Sequence, residues 1–181
     1  MSDICRHKVW WLDKMNFKLL FGIGTLAMAA IASTHPFGSN AASMNDMDRN
    51  FMTTLARAGL AEIQAGQIAA QQGNRADRRF GRQMVKEHEA ASRQLLHLAT
   101  NRNVVLPDSP APEDAVAIHR LEKIDRSNFA PAYHHFAVMS HRQAIGLFKQ
   151  EIAYGRDPAV KAWAEKTLPM IKEHYREARS L

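Results

Sequence analysis

Four long stretches of the chain carry apolar residues at three- and four-residue spacing, the pattern of helices that bury one face. The first gives Phe51, Leu55, Ala58, Glu62, Ala65 and Ala69; the second gives Phe80, Met84, His88, Ala91, Leu95 and Leu98. The third gives His134, Val138, His141, Ile145, Phe148 and Ile152, and the fourth Val160, Ala164, Thr167, Ile171, His174, Ala178 and Leu181. Capping residues agree with these stripes. Asp46 or Asp48 is placed to cap the first helix, which Gly73 ends after Gln72, and Asn74 caps a second helix lasting to about Asn101. Asn103 to Pro112 holds three of the seven prolines and breaks the pattern. Glu113 to Ile124 then makes a short connecting helix with Val116, Ile118 and Leu121 inward. Ser127 caps the third helix with Pro131 in its first turn; Gly155 stops it, Asp157 caps the fourth, and Pro158 takes its first position. No stretch alternates with period two for long enough to propose a sheet, so the fold class is all-α. A tight turn, a long crossing and another tight turn lay the second and third long helices parallel. That is the one-crossover four-helix bundle of ferritin-like folds.

Each stripe carries a titratable side chain near the middle or in the inner half of its helix: Glu62, His88, His141 and His174. Two of these sit in a repeat, since Met84-Val85-Lys86-Glu87-His88 returns 86 positions later as Met170-Ile171-Lys172-Glu173-His174. The chain reads as a duplicated helical hairpin with a ligand cluster between the pairs. Helical side chains lean toward their own N-terminus, which brings Glu62 and His88 of an antiparallel pair toward one level.

An ionised glutamate on a dry helix face is costly unless something pairs with it. One Glu and three His supply a four-coordinate N/O site for a single zinc, iron or copper ion. Met84 and Met170 each precede a histidine by four residues on the same face, and their thioethers add soft ligands that favour Cu(I). The same four residues also suit a metal-free polar core, in which Glu62 pairs with protonated histidine and fixes helix register. Di-iron bundles place a Glu three residues before the ligating His on two helices. Here those positions hold Val85 and Ile171, while Glu87 and Glu173 project about 100° away round the helix. Oxygen activation on a ferritin-like scaffold is therefore the weakest of three readings, behind metal binding and a structural or interaction module. Pro169, five residues before His174, bends the fourth helix and either wraps it round the core or positions that histidine. No nucleophile–base pair and no glycine-rich phosphate loop is legible in the folded part.

The first 43 residues read as an export address. Lys14 and Lys18 precede Leu19 to Ala32, which has no charge, and small-residue cleavage sites follow at Ala30-Ile31-Ala32 and Ala41-Ala42-Ser43. The stretch is short of the roughly 20 apolar residues of a membrane span, so no permanent span is expected after cleavage. Removal of the leader takes away Cys5, the only cysteine, and lowers the formal charge from +6 to +4. The mature domain, residues 44–181, has no thiol chemistry, and its basic residues are interspersed with acidic ones. That excludes a zinc-thiolate site and argues against nucleic acid as a partner. An envelope protein or a second copy of the chain are the partners that remain.

Phe51, Ala61-Glu62, the 84–88 copy of the repeat, Leu106-Pro107, His141-Arg142-Gln143-Ala144 with Leu147-Phe148, and Leu168-Pro169 with Glu173-His174 resemble an exported bacterial ferritin-like family, domain of unknown function 4142. The resemblance spans about Asp48 to Leu181. It implies an export signal, a four-helix ferritin-like bundle and a periplasmic or envelope location. The family's motif positions fall on Glu62, His88, His141 and His174, and it implies no particular activity.

Overall fold

The computed structural model describes residues 44–181, and the expected leader lies outside them. Five helices follow one another: α1 (Asp46–Gln72), α2 (Arg75–Thr100), α3 (Pro112–Lys123), α4 (Arg126–Tyr154) and α5 (Pro158–Ala178). Among the described residues there is no strand, and no helix is long and apolar enough to cross a membrane. The architecture is a ferritin-like four-helix bundle. α1 packs most extensively on α2 and α4 on α5, while α1 borders α4 and α2 borders α5. The single long crossover between α2 and α4 carries the short α3, which lies against α1 and α4.

The caps show why the helices begin where they do. The Asn45 side chain accepts the backbone N–H of Met47 and Asp48 and starts α1. The capping role expected of Asp46 or Asp48 thus moves one to three residues upstream, because Asp48 is used elsewhere. It is buried, and its carboxylate accepts the backbone N–H of Arg156 at 2.9 Å and of Asp157 at 2.8 Å, holding the α4–α5 turn. Asn74 and Asp77 form a reciprocal capping box for α2, and Asp157 caps α5 ahead of Pro158. α4 begins one residue before Ser127, with Asp125 in the cap position and no side-chain cap bond; Pro131 therefore falls in the second turn. Arg102 grips Asp157 through two 2.7 Å bonds, so the start of α5 is tied a second time to the first hairpin.

The buried face of α4 differs from the expected one. Phe129, Tyr133, Ala137, His141, Ala144, Phe148 and Glu151 point inward. His134, Val138, Ile145 and Ile152 are only half-buried at its flank. On α1 and α2 the close approach depends on glycine. A Cβ on Gly66 would stand 2.8 Å from the Gly81 carbonyl oxygen, and one on Gly81 2.6 Å from that of Gly66, so the two backbones meet directly.

The core falls into two apolar clusters. One holds Phe51, Phe148 and Trp163 with Leu55, Leu95 and Ile171. The other holds Phe80, Phe129 and Tyr133 with Met84, Ile118 and Leu121. On every long helix the residue between them is polar: Glu62, His88, His141 and His174, all buried.

Candidate metal centre

This polar layer brings three imidazoles onto one point. His88 Nε2 lies 3.4 Å from His141 Nε2, which in turn lies 3.3 Å from His174 Nδ1. One ligating nitrogen from each ring falls within a group less than 4.8 Å across. α2, α4 and α5 each contribute one ring, carried inward by the apolar stripe on which it sits.

Hydrogen bonds on the far sides of the rings settle their tautomers. His141 Nδ1 donates to the Ala137 carbonyl at 2.8 Å, an acceptor with no hydrogen of its own. His174 Nε2 donates to Glu87 Oε2 at 2.5 Å. A neutral imidazole has one N–H. When both rings are neutral, His141 Nε2 and His174 Nδ1 therefore face each other as lone pairs, and only His88 has a hydrogen left to offer. Two lone pairs at 3.3 Å repel unless a proton or a metal ion lies between them. The spacing is also informative: metal–nitrogen bonds of about 2.0–2.1 Å give a tetrahedron with edges of about 3.3–3.4 Å.

Electrostatics favour the ligating form at His88 and His174. Burial holds the His88 imidazole well below its ordinary titration range, helped by His141 and His174. Burial likewise lowers His174, against the opposing pull of its bond to Glu87. Neutral, buried imidazole suits zinc, copper and iron, and the carboxylate-held His174 is the arrangement that fixes ring orientation in metal sites.

Glu62 stands apart from the three converging nitrogens. Its Oε1 is 3.3 Å from His141 Nδ1, the nitrogen turned away from the centre, and that nitrogen's hydrogen is already given to Ala137. The Ser140 hydroxyl stands near Glu62, but neither carboxyl oxygen is met at full hydrogen-bond geometry. Burial pushes the carboxyl up, with His141 and the Ser140 hydroxyl pulling it down. Of the four residues expected to form a ligand set, the structure thus gathers three at the centre and sets Glu62 behind one of them. Met84 is fully buried in the second cluster, against Gly66, and Met170 packs half-buried against the first.

Glu87 is a correction to the sequence reading, which pointed it away. Its side chain is 35% exposed, and it crosses the α2–α5 border to reach His174. The position of a Cβ round a helix does not fix where a three-bond side chain ends, and the adjacency of α2 and α5 was the signal that could have found it. Three other buried carboxyls were also missed as core residues. They are Asp48, Glu151 beneath Gly155, and Asp77, whose Oδ1 is 2.6 Å from His134 Nε2. Burial and the neighbouring Asp48 push the Glu151 carboxyl up to about 7.

A family model described as Domain of unknown function (DUF4142) matches residues 33–181. The crystal structure of a DUF305 fragment from Deinococcus radiodurans is similar with a TM-score of 0.67 at 11% sequence identity, covering 76% of this chain and 95% of that one. At that identity the likeness is one of fold. No curated protein matches.

Proposed function

The chain belongs to the DUF4142 family, and on that premise we propose that it is an exported bundle that sequesters one transition-metal ion in the bacterial envelope. His88, His141 and His174 are its ligands, with Glu87 and Glu62 as outer supports, and the physiological setting is metal buffering linked to envelope stress. One observation carries the reading: three buried imidazole nitrogens from three helices converge within 4.8 Å, two of the rings being held from behind by acceptors at their other nitrogen. The donor set favours zinc or copper(II), with iron next, over copper(I), because both methionines are packed in the apolar clusters. Deep burial of His141 and His174 suits slow release, hence holding metal rather than passing it on rapidly. The charged start and apolar middle of the leader support an envelope location.

The test is metal content of the mature chain, purified untagged from the periplasm without chelator, beside a His88→Ala/His174→Ala double variant. One equivalent of a single metal in the native protein and none in the variant is the expected result.

A second reading has its own support. His141 and His174 are each anchored by a protein acceptor, so the layer also serves as a metal-free register device for a structural or interaction module. Native protein without metal, showing no thermal shift on adding zinc, iron or copper, would establish that reading instead.

A further inference from the structure

Three protein nitrogens leave a four-coordinate ion one position to fill. Beside the histidine layer lies a cavity of about 40 Å³. Glu62, His88, Ser140 and His141 line it, and most of its other walls are apolar, with Ala144, Phe148 and Trp163 among them. Its lining includes two of the three rings. It also includes the one buried carboxyl of this layer, neither of whose oxygens is met at full hydrogen-bond geometry, although the Ser140 hydroxyl stands near. Buried acceptors of this kind are rarely left without a donor. The donor they lack is small, because the space admits only about three water-sized centres at about 10–15 Å³ each.

We infer that this cavity is a binding site for a small exogenous ligand of two or three non-hydrogen atoms, which gives a lone pair to the metal at one end and a hydrogen toward Glu62 at the other. Hydroperoxide and hydroxylamine belong to this class. The inference rests on the metal-binding reading above and adds to it an open, size-limited coordination position. Glu62 is in this view a ligand-binding residue, and the apolar wall sets an upper limit on what enters. Ser140 lies beside Glu62 and offers a second hydrogen-bonding group to the same guest.

The experiment uses the mature protein loaded with cobalt(II), whose visible absorption reports coordination. Binding of cobalt(II), and its loss in His174→Ala, tests the metal reading alone. Hydroxylamine is then titrated into the loaded protein beside O-benzylhydroxylamine, which offers similar donor chemistry on a larger body. The expected result is a saturable spectral change with hydroxylamine and none with the benzyl compound. Glu62→Leu should keep cobalt(II) and weaken hydroxylamine by about tenfold, the worth of one hydrogen bond to a buried acceptor. Ala144→Val, which narrows the cavity without touching a histidine, should weaken it likewise. A cobalt(II) spectrum indifferent to hydroxylamine, or equally responsive to both compounds, overturns the inference and leaves the metal reading standing. Failure to bind cobalt(II) overturns both. If neither variant folds, the size discrimination in the native protein decides.

Discussion

The two copies of the repeated pentapeptide differ only in Val85 against Ile171, yet their histidines have opposite surroundings. His88 turns Nε2 to the centre. His174 turns Nδ1 there, because its Nε2 is held by Glu87. The acid of the first copy thus serves the histidine of the second. The acid of the second copy, Glu173, is exposed beside Arg176. A repeated sequence repeats the local helix and the face on which its residues sit. Which nitrogen each ring presents is decided by neighbours, and these differ: α1 brings Glu62 to the layer where α4 brings His141.

The strongest way to break this comparison is to remove each ring in turn. His88→Ala and His174→Ala should each lower zinc affinity by more than about 100-fold, beyond the range seen for outer partners. Competition titration against a chelator reads this directly, and full affinity in either variant would show that the copies do not share one site. The asymmetry itself lies in the acids. Glu87→Gln should weaken zinc binding by about 10- to 100-fold, whereas Glu173→Gln should leave it unchanged; equal effects would contradict the pairing of Glu87 with His174.

Acid stability sharpens the contrast further. Both folded histidines titrate below the ordinary value of 6.5, His88 well below it. Their contribution to the metal-free fold is therefore complete above about that pH and is lost as pH falls toward their folded values. Thermal melts between pH 8 and 5 should show this loss, and His88→Gln should flatten it more than His174→Gln, because Glu87 partly offsets the depression at His174. The reverse order would assign the stronger desolvation to the wrong ring. The smallest effect belongs to the methionines. Leucine at either Met84 or Met170 should cost under about 1.5 kcal/mol in a chemical melt and leave zinc affinity unaltered. A loss of copper binding at Met170 alone would return that thioether to the site.

Much of this was legible in the sequence because the helices are capped by residues whose chemistry is unambiguous. Asn74, Gly73, Gly155, Asp157 and Pro158 mark their boundaries, and the length of the crossover orders the bundle. The four layer residues stood out because each is polar on an otherwise apolar stripe. α4 misled for a specific reason. Its true inward face contains Ala137 and Ala144, which are weak hydrophobic markers, while Val138, Ile145 and Ile152 on its flank look more apolar than they are buried. Asp48 and Asp77 were hidden because an acid near a helix start reads as a cap. Their burial depends on partners more than fifty residues away. Glu62 was correctly placed at depth, but the side of His141 it occupies depends on ring orientation, which periodicity does not encode.

Gly66 and Gly81 build a backbone seam into the first hairpin. Gly66 is one turn beyond Glu62 on α1 and Gly81 two turns before His88 on α2, so the backbone contact between them clamps the two helices close to the layer. Gly146 on α4 is exposed and makes no such contact. The first hairpin therefore cannot spread beside the layer without parting the two backbones that meet at Gly66 and Gly81.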